Sequence, residues 1–256
     1  MCGRYYRRSD KQRLAEAFQL GKLPDGFVLP DWDYNVAPTT FQPVIREVRD
    51  PSAVAPGDST RELVLMRWGL VPFHAKSLAD YKGISTINAK AETLQTSGLW
   101  RTPFARRRCL IPADGFYEWK KLDAPARGKA GGRSSSQPRQ PWAFSLAGHQ
   151  PFAFAGLWDA WKDPAIPAST GQDPWLQSFT IITTTPNPLT ATVHNRMPVI
   201  LSPRDYDRWL SRDESGPAHL PIDLLRPYPA DQMTAHPAHP DVGNVRNNHP
   251  ELLNSA

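Results

Sequence analysis

Short apolar runs, broken by Gly, Pro and polar clusters, dominate this chain, and long helical stripes are rare. The clearest helical pattern is "SDKQRLAEAFQLG", where Leu14, Ala17 and Phe18 share a face. Ser9 reads as its N-cap, Gln12 completes a capping box and Gly21 stops it. "DYNVAPTT" is a proline-bounded extended stretch, and "ELVLMRWGLVP" reads as a strand that turns at Gly69. "NAKAETLQTSG" predicts a short helix with Asn88 near its N-terminus and a stop at Gly98. "RRCLIPADGFYEW", "PWAFSLAG", "PFAFAGLWDAW" and "SFTIITTT" are aromatic or β-branched and predict strands, as does the short "MPVIL". "SPRDYDRWL" predicts a helix with Ser202 as cap and Pro203 at its first position. Strands outnumber helices, so the expected fold is α+β: a mixed or antiparallel, barrel-like β core with peripheral helices.

Two segments depart from this pattern. "KLDAPARGKAGGRSSSQPRQ", about 121–140, is rich in Gly, Ser, Pro and basic residues and lies between two predicted strands. It reads as a disordered hairpin insertion within one domain of residues 1–256. The tail from about Pro217 to residue 256 is rich in Pro and His and is also expected to be poorly ordered.

Composition narrows the class. Two cysteines in 256 residues exclude a disulfide framework. No stretch resembles a secretory signal or reaches the length of a membrane span. A soluble, cytoplasmic protein of a reducing compartment is expected, acting as a monomer with no membrane partner. The net charge of +5 points weakly to a polyanion. Nine tryptophans interleaved with Arg and Lys suit single-stranded nucleic acid, where bases stack on rings and cations follow phosphates. The plain alternative is that most of these rings fill the core.

Candidate chemistry begins at "MCGRYY". If Met1 is removed, Cys2 presents an α-amine and a thiol on adjacent carbons, a pair no other residue type supplies. Their ordinary pKa values, about 8 and about 8.5, lie close to neutrality. An aldehyde would form an imine with the amine, and the thiol would then close a thiazolidine ring. The alternative is an incidental cysteine near a frayed end. Glu118 follows a glycine turn among aromatics, where desolvation would raise its pKa toward the acid–base range. It reads equally as a solvated strand-edge carboxylate. His194 precedes an apolar strand and Asn88 opens a short element; singly, these read as a structural histidine and a helix cap.

Taken in order, "MCGRY", "NVAPT", "RWGLVP", "INAKAET", "RRCLIPADGFYEW", "AGLWDAW", "IITTTPN" and "HNRMPVIL" resemble the SRAP (SOS response-associated peptidase-like) family. The resemblance runs from Cys2 to about Leu210, with a weaker echo in "DVGNVRNNHPEL". It implies recognition of abasic sites in single-stranded DNA and a covalent crosslink through Cys2 that shields the lesion during the DNA damage response. It implies Cys2 as nucleophile, Asn88 as positioner, and Glu118 and His194 as acid–base groups. A basic DNA-binding cleft is implied too. Arg4 and Lys90 would meet phosphates, Trp68 and Trp119 would serve as wedges or stacking surfaces, and Pro38, Thr39 and Thr183 would line the cleft. An abasic-site lyase side activity and self-cleavage after Met1 belong to the same expectation.

Departures are visible. Lys90 stands where the family usually has arginine, and Gly98 where some relatives are basic. Phe73 and His74 occupy a turn that is commonly aromatic-rich. Cys109 lies in an apolar run and reads as core. His236, His239 and His249 lack a tight ligand set, so neither a metal nor another cofactor is expected. Two other readings stay open: a cysteine peptidase with an N-terminal nucleophile, and a non-catalytic single-stranded DNA-binding module.

Overall fold

The computed structural model describes residues 2–21, 27–29, 32–49, 59–78, 86–122, 138–211 and 220–255. In chain order the first strands are β1 (Tyr5–Arg7), β2 (Asp33–Val36), β3 (Phe41–Arg49), β4 (Ser59–Trp68), β5 (Asn88–Lys90), β6 (Arg108–Ala113) and β7 (Gly115–Lys121). They are followed by β8 (Arg139–Leu146), β9 (Phe152–Lys162), β10 (Trp175–Thr184), β11 (Met197–Pro198), β12 (Ile200–Leu201) and β13 (Met233–Pro237). The α-helices are α1 (Lys11–Phe18), α2 (Arg101–Arg106), α3 (Pro188–Ala191) and α4 (Tyr206–Leu210).

Five strands close a mixed barrel in the order β10-β4-β3-β6-β9, with β9 returning to β10. The β10–β4 pairing is parallel and the other four are antiparallel. The alternation in β9 explains the closure. Phe152, Phe154 and Trp158 join one apolar cluster, while Ala153, Ala155 and Leu157 join another on the opposite face with Trp209 of α4. Gly156 is required between them: a Cβ there would sit 2.0 Å from the Ile111 side chain and 3.0 Å from Cys109 Sγ. Cys109 is fully buried.

A second sheet has the order β13-β8-β7-β1-β2. Its aromatic face packs on the barrel, with Phe116 on Phe144 at 4.9 Å and on Phe154 at 6.1 Å. The chain crosses from barrel to sheet between β6 and β7. There buried Asp114 accepts the backbone N–H groups of Arg8 and Ser9 and the Ser9 hydroxyl. Ser9 is thereby withdrawn from capping α1. Asp10 caps it instead, accepting from Arg13 N–H, and Gln19 at φ 51° ends it ahead of Gly21.

Other local expectations shift for similar reasons. Asn88 opens a strand, not a helix, because β5 pairs in parallel with β10 (Ile181 opposite Asn88); only Ala91–Thr93 forms a 3-10 turn. Gly69 does turn the chain after β4, with φ 105°. Pro203–Asp205 forms a 3-10 turn before α4, and Ser202 makes no side-chain capping bond. The 121–140 insertion joins β7 to β8, which pair as far as Lys121 opposite Arg139; residues 123–137 lie outside the described residues. The tail is not the loose segment expected from its composition. Within residues 220–255, β13 adds to β8, and Val242 and Leu252 are fully buried. No described helix is long and apolar enough to cross a membrane.

Candidate active site

Cys2 precedes β1 and is fully buried where the barrel meets the second sheet. Its Sγ faces the Arg4 carbonyl at 3.8 Å, and its own carbonyl accepts from Asn88 Nδ2 at 2.8 Å. Parallel pairing of β5 with β10 carries Asn88 to this point. Asn88 is 7% exposed, and its Oδ1 is buried without a hydrogen-bond partner among the described residues. That oxygen keeps its capacity to accept a hydrogen bond.

Glu118 comes from β7 in the other sheet and is 3% exposed. Burial pushes its carboxyl up to about 7, partly offset by the positive α-amine of the chain that still carries Met1. Burial, and secondarily the Glu118 charge, push the Cys2 thiol far above its usual range. His194 follows α3, itself capped by Asn187 accepting from Thr190 N–H. Its Nε2 lies 4.0 Å from Glu118 Oε2, beyond a direct hydrogen bond.

Sequence reasoning did not anticipate how His194 is held. Arg196 N–H lies 3.0 Å from Nδ1 and donates to it when that nitrogen is unprotonated, which leaves the proton of the neutral ring on Nε2, toward Glu118. The Arg196 carbonyl lies 3.2 Å from the same nitrogen and can accept its proton in the imidazolium form. The loop therefore accommodates both protonation states. Burial, the positive chain terminus and the nearby Arg139 and Arg196 hold the imidazole below its ordinary pKa, against the bond to the Arg196 backbone. At neutral pH the ring is mainly neutral, whereas the unperturbed value had suggested titration there. Arg196 is itself clamped, bidentate on Glu92 at 2.6 and 3.0 Å, with Nη2 also on the Thr183 carbonyl at 2.5 Å.

The expected DNA-contacting residues are arranged unevenly. Lys90 is exposed. Pro38 is half-buried and Thr39 exposed, in a turn fixed by Thr39 N–H to the Trp68 carbonyl at 2.9 Å. Thr39 has φ 75°, an uncommon conformation for a β-branched residue. Trp68 is not a stacking surface. It is fully buried, T-shaped against Tyr5 and parallel to Phe179, with Nε1 donating to the Ile87 carbonyl at 3.0 Å. Thr183 is likewise fully buried, so its hydroxyl meets Arg196 and the Ala89 carbonyl, not a strand. Trp119 packs beside Tyr6, Tyr117 and Val242 on the opposite face of β7 from Glu118, because successive strand residues alternate. The tryptophan on the Glu118 face is Trp142, directly opposite in the ladder, with Lys120 Nζ 5.7 Å from its ring centroid. Arg4 is half-buried, and its Nη1 is committed to Asn35 Oδ1 and the Val242 carbonyl. Among the described residues no group of three His, Cys, Asp or Glu side chains is arranged to hold a metal ion.

A family model described as SOS response associated peptidase (SRAP) matches residues 1–245. The chain belongs to the SRAP family. Two relatives in the family bear on what it does. "Abasic site processing protein YoqW" of Bacillus subtilis (strain 168) is 37% identical over 256 residues, covering all of both chains. "Abasic site processing protein HMCES" of Mus musculus is 28% identical over 277 residues, covering 99% of this chain and 75% of that protein. A crystal structure of a Bacteroides thetaiotaomicron protein shares the SRAP chain's fold with a TM-score of 0.77 at 24% identity, covering all of both chains.

Proposed function

We propose that this SRAP protein recognises abasic sites in single-stranded DNA and joins them covalently through Cys2, after loss of Met1. The observation that carries the reading is the meeting of Asn88, Glu118 and His194, from three separate elements, at the Cys2 end of the chain. The names of the relatives, abasic site processing proteins, supply the substrate class.

The chemistry runs as follows. The ring-closed abasic sugar opens to an aldehyde when its anomeric hydroxyl gives up a proton to water and its ring oxygen gains one; the donor on this side of the site is the imidazolium of His194, a minor form near neutrality that is replenished from solvent. The Cys2 α-amine adds to the aldehyde carbon, and the carbinolamine loses its hydroxyl as water to give an imine. A group that exchanges protons near pH 7 serves both the deprotonation of the amine and the departure of water, and Glu118 is that group. The thiol then adds through sulfur to the imine carbon while its proton passes to the nitrogen, closing the thiazolidine. One aldehyde and one aminothiol are consumed and one water is released. Asn88 does not titrate, so it holds the Cys2 carbonyl through Nδ2 and offers Oδ1 to the incoming amine or sugar hydroxyl. Lys90, together with the strained Pro38–Thr39 turn, supplies the exposed surface for the strand. The imine is also the species from which a base can trigger strand cleavage, so lyase activity is an expected side path. Cleavage of the Met1 peptide bond is the one peptidase step this reading requires; Met1 itself lies outside the described residues.

Intact mass spectrometry before and after mixing with abasic single-stranded DNA tests the proposal. Loss of Met1 and a heat-stable adduct are expected, and Cys2→Ala should still bind the strand but lose the stable product. Peptide turnover without an adduct, or salt-sensitive binding without one, would replace this reading with a peptidase or a simple binding module.

A further inference from the structure

The C-terminal motif "DVGNVRNNHPEL" lies outside the chemistry above, yet one buried side chain ties it to Arg4, two residues from the nucleophile. Asn35 on β2 is 4% exposed and uses its whole amide. Its Oδ1 accepts from Arg4 Nη1 at 2.8 Å, and its Nδ2 donates to the carbonyls of Asn244 and Asn247, both at 2.9 Å. Arg4 Nη1 also donates to the Val242 carbonyl at 3.3 Å. Next to Asn35, Tyr34 N–H donates to Asn248 Oδ1 at 2.7 Å, and the Tyr117 hydroxyl donates to the Tyr34 carbonyl at 2.9 Å. Val242 and Leu252 close the contact against Tyr6 and Tyr117. Arg4 is two residues from Cys2, and its carbonyl is the atom that Cys2 Sγ faces.

We propose that Asn35 and residues 238–254 form a clasp that holds Arg4 and so positions Cys2, with Asn35 as the positioning residue. The proposal rests on the abasic-site reading for its DNA arm only. Chain ends fray unless something ties them down, and β1 has only three residues with which to do so. A nucleophile at such an end samples many placements, and misplacement by about 1 Å can slow a reaction roughly a hundredfold. The clasp adds side-chain ties from the far end of the chain to that short strand. Fraying of the N-terminal end would also expose Cys2, which is fully buried while β1 is in place. Loss of the clasp therefore has two effects of opposite sign: reaction with a correctly docked strand slows, while a small aldehyde free in solution reaches the aminothiol more easily.

The test compares Asn35→Ala, Asn35→Asp and Leu224→Ala with the parent chain, each checked by intact mass for loss of Met1. Leu224→Ala is a destabilised control in a different apolar cluster. Two single-turnover rates are measured: crosslinking to saturating abasic single-stranded DNA, and thiazolidine formation with formaldehyde. Asn35→Ala should crosslink roughly ten- to a hundredfold more slowly and react with formaldehyde several-fold faster. Asn35→Asp keeps an oxygen for Arg4 but loses both donors to the tail, so it should show the same pair of changes; it carries the test if the alanine variant does not fold. The proposal is overturned by unchanged rates, by equal slowing of both reagents, or by the same pair of changes in Leu224→Ala. If the parent chain gives no adduct with abasic DNA yet Asn35→Ala still accelerates the formaldehyde reaction, the abasic-site reading fails and the clasp stands.

Discussion

Replacing Glu118 by glutamine separates what this carboxyl does for the site from what it does to the fold. Its pKa rises from 4.5 to about 7 because burial disfavours the charge. At 3% exposure, solvent screening is slight. A rise of that size corresponds to about 3 kcal/mol, at roughly 1.4 kcal/mol per pKa unit. The folded protein holds this proton more tightly than the unfolded chain, so between pH 4.5 and about 7 stability falls as pH rises. Below that window both states are protonated and the penalty is absent. Above it both are ionised and the penalty is complete. Glutamine keeps the shape without the charge, so Glu118→Gln should be the more stable protein at about pH 8, by ~3 kcal/mol, and should match the parent at about pH 4. For a chain of this length that difference raises the melting temperature by roughly 6–12 °C. Paired thermal melts at the two pH values measure it. The same variant should form the DNA adduct on the order of a hundredfold or more slowly, because it cannot exchange a proton. A melting difference equal at both pH values, or a variant less stable at high pH, would refute the assignment of a buried carboxyl held near neutrality.

His194→Ala should slow crosslinking to a ring-closed abasic site and be partly rescued by an analogue that is already open-chain, whereas Glu118→Gln should not be; single-turnover rates on both substrates decide. Equal rescue of both variants would defeat this division of labour. Lys90→Ala should weaken binding to single strands of any sequence and lower the slope of log affinity against log salt by about 0.7, the contribution of one phosphate contact on a single strand. An unchanged slope in a salt titration would remove Lys90 from the interface.

What the sequence by itself determined is what depends on near neighbours along the chain. Aromatic and β-branched runs marked four of the five barrel strands and left β3 unread, the turn at Gly69 followed from a glycine at the end of an apolar run, and the β7–β8 hairpin followed from two strand patterns around a polar insertion. The candidate residues Cys2, Asn88, Glu118 and His194 were legible by residue type and motif order, but their meeting was not. Tertiary structure decided that. Asn88 became a strand because β10 offered it a parallel partner, overriding a local helical pattern. Strand alternation already turns Trp119 away from Glu118, but the register of β7 with β8 decided that Trp142 stands opposite Glu118, since a shift of one residue exchanges the faces of a strand. Barrel closure consumed Trp68 and Thr183, which motif position had suggested for the DNA surface. The tail looked loose by composition because its partners, Asn35 and β8, are distant in sequence. The ionisation of the site belongs to this second category as well. A carboxyl driven up and an imidazole driven down depend on what is packed around each group, and only the folded chain supplies those surroundings.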